Sequence, residues 1–411
     1  MQSYNLLSEE MQEAGMYLIE LLRAALTGQK AKEKPTGVSW ENVFTLAKIH
    51  KVEAMTAYSL DTLQELPEKE VLKTWKEEKN LTLFKVLHFD LEREEIFGEM
   101  EKEGLSYLPL KGILISDYYP EKGMRSMADN DILYGFVERS DKGEYRIVGT
   151  NKEEQRKNVE KAQNSMVNIM TGRGYSVENL VGNHDSYHKR PFYNFEMHRR
   201  LVSSCSSFEE YYKNPWKRAI KNSENPYSYR FSDEDEYLFI LVHAFKHFDG
   251  SGCGVRLLSD IYVFLRKKEH SLNWAYVESE LELLVLKDFE SQVRGLADAI
   301  FVENRSLTEE EQTFLDFLLG CGIYGRADVR VMQKVKKIED DETCSELSAK
   351  FRYIKERLFP DEKMMKDYFP FFYGKPYLMP VLLLYRVVKG MLLHQKNCFL
   401  NGKVFGGNNK K

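Results

Sequence analysis

The chain has 411 residues, enough for two or three modules each with its own core. Hydrophobic residues make up 43%, charged residues 30% and aromatic residues 13%, a profile that excludes a disordered chain. The 59 Lys and Arg nearly balance 64 Asp and Glu, leaving a net charge of −5, so no overall field draws a polynucleotide and no nucleic acid is expected as a partner.

The segment Met1 to Glu13 has no basic stretch followed by an apolar one, so a secretory leader is not expected. From Ser8 to Leu26 apolar residues recur at three and four spacing (Met11, Met16, Leu18, Ile19, Leu22, Leu26), which predicts an amphipathic helix. Ser39 reads as the N-cap of a second helix, and further helix is expected over Val52 to Leu63 and over the charged stretch Lys69 to Glu103. Residues 1–103 thus form an N-terminal helical region.

The character changes at Gly104. Leu105 to Leu110 is a short β-prone run, followed by helix to Tyr119 and a second strand over Asp129 to Val137. Tyr145 to Val148 adds one strand of a hairpin, Glu153 to Met170 reads as helix, and Tyr175 to Leu180, Ser186 to His188 and Phe192 to His198 are strand candidates. Strands alternating with helices over residues 104–202 argue for a compact α/β module.

Beyond it, residues 203–400 read as a C-terminal helical domain, with helices over Ser207 to Tyr212, Ser232 to His247, Val255 to Arg266, Trp274 to Leu286, Ser291 to Phe301, Ala349 to Leu358 and Met379 to Leu393, and another starting near Leu307. A disordered tail is expected over 401–411. The apolar segment Tyr377 to Leu393 contains Pro380, Arg386 and Lys389, too short and interrupted to span a bilayer, so no membrane association is expected. Five scattered cysteines without a C-x-x-C pair fit reduced thiols in a cytoplasmic protein.

Asp129 and Asp131 stand two apart at the start of the second strand, so they project to one face. Two carboxylates that close resist joint ionisation unless a cation lies between them. Mg2+ (or Mn2+), which takes hard oxygen ligands and keeps positions for water and phosphates, resolves the conflict. In Phe192 to His198, Phe195 and Met197 suit a core face and leave Asn194, Glu196 and His198 on the other. If that strand lies beside the Asp129 strand, Glu196 completes a carboxylate triad able to hold two ions roughly 4 Å apart, the arrangement that clamps a phosphoryl displacement. Lys111 and Gly112, at the turn after the first strand, are candidates for the triphosphate. Arg125 is a candidate for offsetting phosphate charge, and His198 for orienting Glu196 or meeting the leaving group.

These residues resemble the nucleotidyltransferase superfamily, in its branch of uncharacterised bacterial nucleotidyltransferase-like proteins. The match is carried by Leu110-Lys111-Gly112, Arg125, Asp129-x-Asp131, the strand Phe195-Glu196-Met197-His198, and downstream helices bearing His243, His247 and Asp260. The resemblance implies an α+β fold, a mixed β-sheet flanked by N- and C-terminal helical regions. It implies transfer of a nucleoside monophosphate from a nucleoside triphosphate (NTP), ATP among the options, to an acceptor, with pyrophosphate released. The catalytic and metal-binding set would be Asp129, Asp131 and Glu196; the nucleotide-binding set would be Lys111, Gly112, Arg125 and His198. Family members place Ser or Gly after the turn glycine, where this chain has Ile113.

Blander readings stand beside these. A lone D-x-D often serves as an Asx-turn or cap. Arg256 and Asp260 at i,i+4 read as a helix-surface pair, and His184, Asp185 and His188 as either a polar turn or a further metal ligand. His243 and His247 share a helical face, but Ala244 stands where a zinc protease needs its glutamate. Three functions follow: a magnesium-dependent transferase with a small-molecule or protein acceptor in the cleft between module and helices; a catalytically inactive nucleotide-binding or partner-binding protein keeping the fold; and a helical scaffold whose D-x-D is accidental. A strand following Asp131 would discriminate against the last.

Overall fold

The structure is a computed structural model that describes residues 6–342 and 344–388. The expected tail at 401–411 and the end of the helix expected over Met379 to Leu393 lie outside the described residues; 379–388 is helical. Four helices open the chain, α1 (Glu9–Thr27), α2 (Trp40–His50), α3 (Glu53–Leu60) and α4 (Lys69–Lys102). The Ser39 side chain caps α2 as its sequence predicts, accepting from the Asn42 N–H. Then come β1 (Ser106–Pro109), the short α5 (Gly112–Ile115), β2 (Asn130–Gly135), β3 (Val137–Arg139), β4 (Tyr145–Ile147), α6 (Lys152–Gly172), β5 (Ser176–Asn179), β6 (His184–Lys189), β7 (Tyr193–His198), β8 (Ile220–Lys221) and β9 (Tyr229–Arg230). Helices complete the described chain, among them α7 (Asp233–Ser251), α8 (Arg256–Lys268), α9 (Trp274–Leu284), α10 (Lys287–Ala297) and α11 (Glu309–Cys321).

The sheet has the order β1-β2-β7-β6-β5, with β2 and β7 parallel and the other neighbours antiparallel. It is therefore a mixed sheet in an α+β chain. The parallel pair needs a crossover, and α6 lies within it. Strand alternation gives the sheet two unlike faces. Ile132, Tyr134, Phe195 and Met197 point into an apolar core shared with Phe89 and Ile96 of α4 and Met166 and Met170 of α6. Leu133 points the other way, into a second core formed by α1 to α3 together with α7 to α11. Helices from both the 1–103 and the 203–400 stretches fill that core.

His50, at the end of α2, stitches these helices together. Its Nε2 lies 3.1 Å from the Leu319 carbonyl of α11, and its Nδ1 accepts from the Val255 N–H at 3.3 Å. A Cβ on Gly254 would come within 2.6 Å of that ring, so the approach requires glycine.

Two expectations are corrected. Ser207 to Tyr212 is a series of turns and not a helix, because the Ser206 side chain binds the Phe208 N–H, Phe208 and Tyr212 anchor in the core, and six residues cannot repay helix nucleation. The β8–β9 ladder was not expected at all; two-residue strands carry no readable alternation.

Candidate active site

Register assembles the polar face of the sheet. On the parallel pair, Asp131 lies opposite Glu196 and Leu133 opposite His198, and on the antiparallel pair His184 lies opposite His198. Residues two apart share a face, so Glu196 and His198 point together, with Asp131 and His184 beside them on the flanking strands. Asp129 lies one residue before β2. The strand adjacency on which Glu196's place depended is present, and β2 itself supplies the strand that an accidental D-x-D would lack.

The turn after β1 is shaped around this cluster. The Leu110 N–H donates to the Asp131 carbonyl at 2.9 Å, and Lys111 then takes a left-handed conformation with φ 51°. That conformation is costly for a side chain with a Cβ and persists where surroundings fix it. Here the Lys111 ammonium donates to Asp131 Oδ1 at 2.7 Å. Gly112 follows, and a Cβ on it would meet Arg125 Nη1 at 2.6 Å. Arg125 is buried and gives its fork to Asp260 of α8, with Nε 2.7 Å from Oδ1 and Nη2 3.0 Å from Oδ2; Tyr119 donates to the same Oδ1 at 2.7 Å. The i,i+4 surface pair of Arg256 and Asp260 is thus corrected. Asp260 lies inside, 8% exposed, where α8 packs on α5, and its partner is Arg125.

His198 is 2% exposed; its Nε2 is 2.7 Å from Asp131 Oδ1 and its Nδ1 is 3.4 Å from the Arg200 carbonyl. Among His184, Asp185 and His188, one reaches the carboxylates. His184 Nε2 is 3.7 Å from Glu196 Oε2, whereas Asp185 is fully buried on the other face, accepting from Tyr134 and Gln163.

The charges do not balance locally. Burial raises Asp131, but Lys111 and His198 more than offset it and hold its carboxyl well below the usual range. Burial and the neighbouring Asp131 push Asp129 up. Burial, then Asp131 and Asp129, push Glu196 up to about 7. Crowded carboxylates of this kind fit a site for a divalent cation, a donor set of hard oxygens with too little positive charge between them.

A cavity of about 590 Å3 opens over the cluster, bounded by Lys111, Asp129, Asp131 and Glu196 on the sheet side and by α7 and α8 across from it. His243, Lys246, His247 and Arg256 face it from the helices. Burial pushes the His247 imidazole down to about 4, helped by Lys246, so the ring is neutral. Arg256 gives one hydrogen bond, from Nη1 to the Ser126 carbonyl at 3.3 Å, while its Nε is buried without a partner among the described residues. Neither Arg256 nor Lys246 forms an ion pair among the described residues. Sequence reasoning passed over Lys246 and read Arg256 as a surface ion-pair partner because charge on an amphipathic helix ordinarily faces solvent; the available signal was Lys246 flanked by His243 and His247.

One family model, described as an uncharacterised nucleotidyltransferase, matches residues 36–140 and 157–302, more than half of the chain. The chain belongs to this family. Membership supports a transferase role and implies an NTP substrate. No curated protein and no solved structure gives a significant match. The two matched segments contain the whole cluster, from Lys111 through Asp129 and Glu196 to Lys246 and Arg256. Among the described residues no helix is long and apolar enough to cross a membrane.

Proposed function

We propose that the protein transfers a nucleoside monophosphate from an NTP to a hydroxyl group of a small-molecule or protein acceptor, with magnesium and with release of pyrophosphate. The observation that supports this is the pairing of Asp131 with Glu196 on adjacent parallel strands, Asp129 one residue upstream, on the floor of a cavity walled by cations. Asp129, Asp131 and Glu196 would hold Mg2+ (or Mn2+), whose charge would offset that of the phosphates and lower the pKa of the acceptor hydroxyl. Glu196 is the carboxylate that receives the acceptor's proton. The freed oxygen bonds to the α-phosphorus as the bond from that phosphorus to the β-bridging oxygen breaks, and the electron pair leaves with pyrophosphate. Lys246 and Arg256 meet the negative charge of the departing phosphates, a task for which their lack of carboxylate partners suits them. Lys111 and His198 keep Asp131 ionised and oriented, and Arg125, fixed by Asp260, holds the Gly112 turn against the cavity floor.

The test is incubation of the full chain with each labelled NTP and magnesium, reading pyrophosphate and, by mass spectrometry, nucleotidylated products. Added mass on the protein itself identifies a protein acceptor. Calorimetry should show metal-dependent NTP binding that Asp129→Ala abolishes; unchanged binding in that variant refutes the proposal. One contact favours a second reading, a nucleotide-binding protein without transfer activity: the Lys111 ammonium already neutralises Asp131. Tight NTP binding with no pyrophosphate from any acceptor panel would select it.

A further inference from the structure

We propose that His184, Glu196 and His198 form a second cation site, a mixed imidazole and carboxylate site that takes a first-row transition ion such as Mn2+ in preference to Mg2+. Its role in catalysis rests on the reaction proposed above, but its existence does not.

The argument is one of register. The pairs His184 with His198 and Asp131 with Glu196 place residues of β6, β7 and β2 on one face of the sheet. One ligand atom from each of His184, Glu196 and His198 lies within 4.8 Å of the other two. His184 Nε2 is 3.7 Å and His198 Nε2 3.8 Å from the same oxygen, Glu196 Oε2, so that oxygen and two ring nitrogens converge on one point of the cavity wall. The two rings stand with centroids 5.0 Å apart.

The His184 ring is not fully used by the protein. The His184 side chain makes no hydrogen bond among the described residues, and its Nδ1 is buried without a partner. Its Nε2, 3.7 Å from Glu196 Oε2, is not committed to a hydrogen bond and is the nitrogen free to take a cation. His198 Nδ1 lies 3.4 Å from both the Arg200 carbonyl and Asn183 Nδ2, and its Nε2, 2.7 Å from Asp131 Oδ1, would give up its proton on taking a cation.

Ligand type then sets the metal. Asp129 and Asp131 offer oxygen alone, which suits Mg2+, whereas two imidazoles with one carboxylate suit the first-row transition ions. Glu196 has two oxygens, so binding an ion through one leaves the other for the acceptor's proton.

The experiment measures ion binding by the full chain without nucleotide or acceptor. Free Mn2+ is followed by its electron paramagnetic resonance signal, and Co2+ by its visible absorption, which reports nitrogen ligands. Wild type should bind Mn2+ in the presence of excess Mg2+. His184→Asn should weaken Mn2+ binding by roughly tenfold or more and change the Co2+ spectrum, with thermal unfolding unchanged. His184→Asp, which replaces nitrogen by oxygen, should shift preference towards Mg2+, and His188→Asn on the same strand should change nothing. Equal Mn2+ binding by wild type and His184→Asn, with loss in Asp131→Asn, overturns this inference and leaves the proposed transfer reaction standing. Absence of any divalent-ion binding by wild type with NTP present overturns both.

Discussion

The two faces of the five-stranded sheet are built from the same strands and do opposite work. On the face towards α4 and α6, Phe195 and Met197 are fully buried among apolar neighbours. On the face towards α7 and α8, Glu196 and His198, their immediate neighbours in the chain, meet Asp131, Lys111 and the cavity. Alternation lets one six-residue strand supply both core and chemistry, and it lets stability and activity be changed separately.

The sharpest way to break the comparison is on the polar face. Asp131→Asn should lower pyrophosphate release on the order of 10³-fold or more, measured at saturating NTP, with little change in the thermal midpoint. A large loss of stability would mean that the two faces are not separable. On the apolar face, Phe195→Ala should cost about 3–5 kcal/mol in urea unfolding, while the protein that remains folded keeps its metal binding.

The third prediction concerns the helices that cover the polar face. His50 is buried as the neutral ring and its pKa is pulled down to about 4 by burial, against an unfolded value near 6.5. The unfolded chain therefore takes up the proton first. This residue's contribution is complete above about pH 6.5 and is lost as pH falls towards 4, a change on the order of 3 kcal/mol. Chemical unfolding at pH 7 and pH 4.5 measures it, and His50→Gln should flatten the difference. Least of all, Lys246→Ala and Arg256→Ala should each raise the KM for NTP about tenfold, near 1.4 kcal/mol, and leave the unfolding midpoint in place.

Much of this was readable from residues alone. Spacing gave α1, and Ser39 gave the start of α2, because periodicity and capping are local signals. The alternation of Phe195 and Met197 with Glu196 and His198 announced the two faces. Neighbouring strands were a condition that only tertiary structure could meet, since β2 and β7 are separated by a hairpin, a helix and two further strands. Arg125 was expected to meet phosphate charge; its partner Asp260 lies 135 residues away and no pattern in the sequence ties them. Lys246 was missed and Arg256 was placed on the surface for a different reason: a charge on a helix does not say which way the helix is turned.

The His50 contact spans 269 residues of chain. During synthesis at about 5–20 residues per second, α1 to α3 must wait roughly ten to fifty seconds for Leu319 to emerge before their common core with α11 can close. The sheet, finished at His198, is complete well before then. Between those points all five strands of the sheet have been synthesised while α1 to α3 still lack α11, one of the helices that share their core.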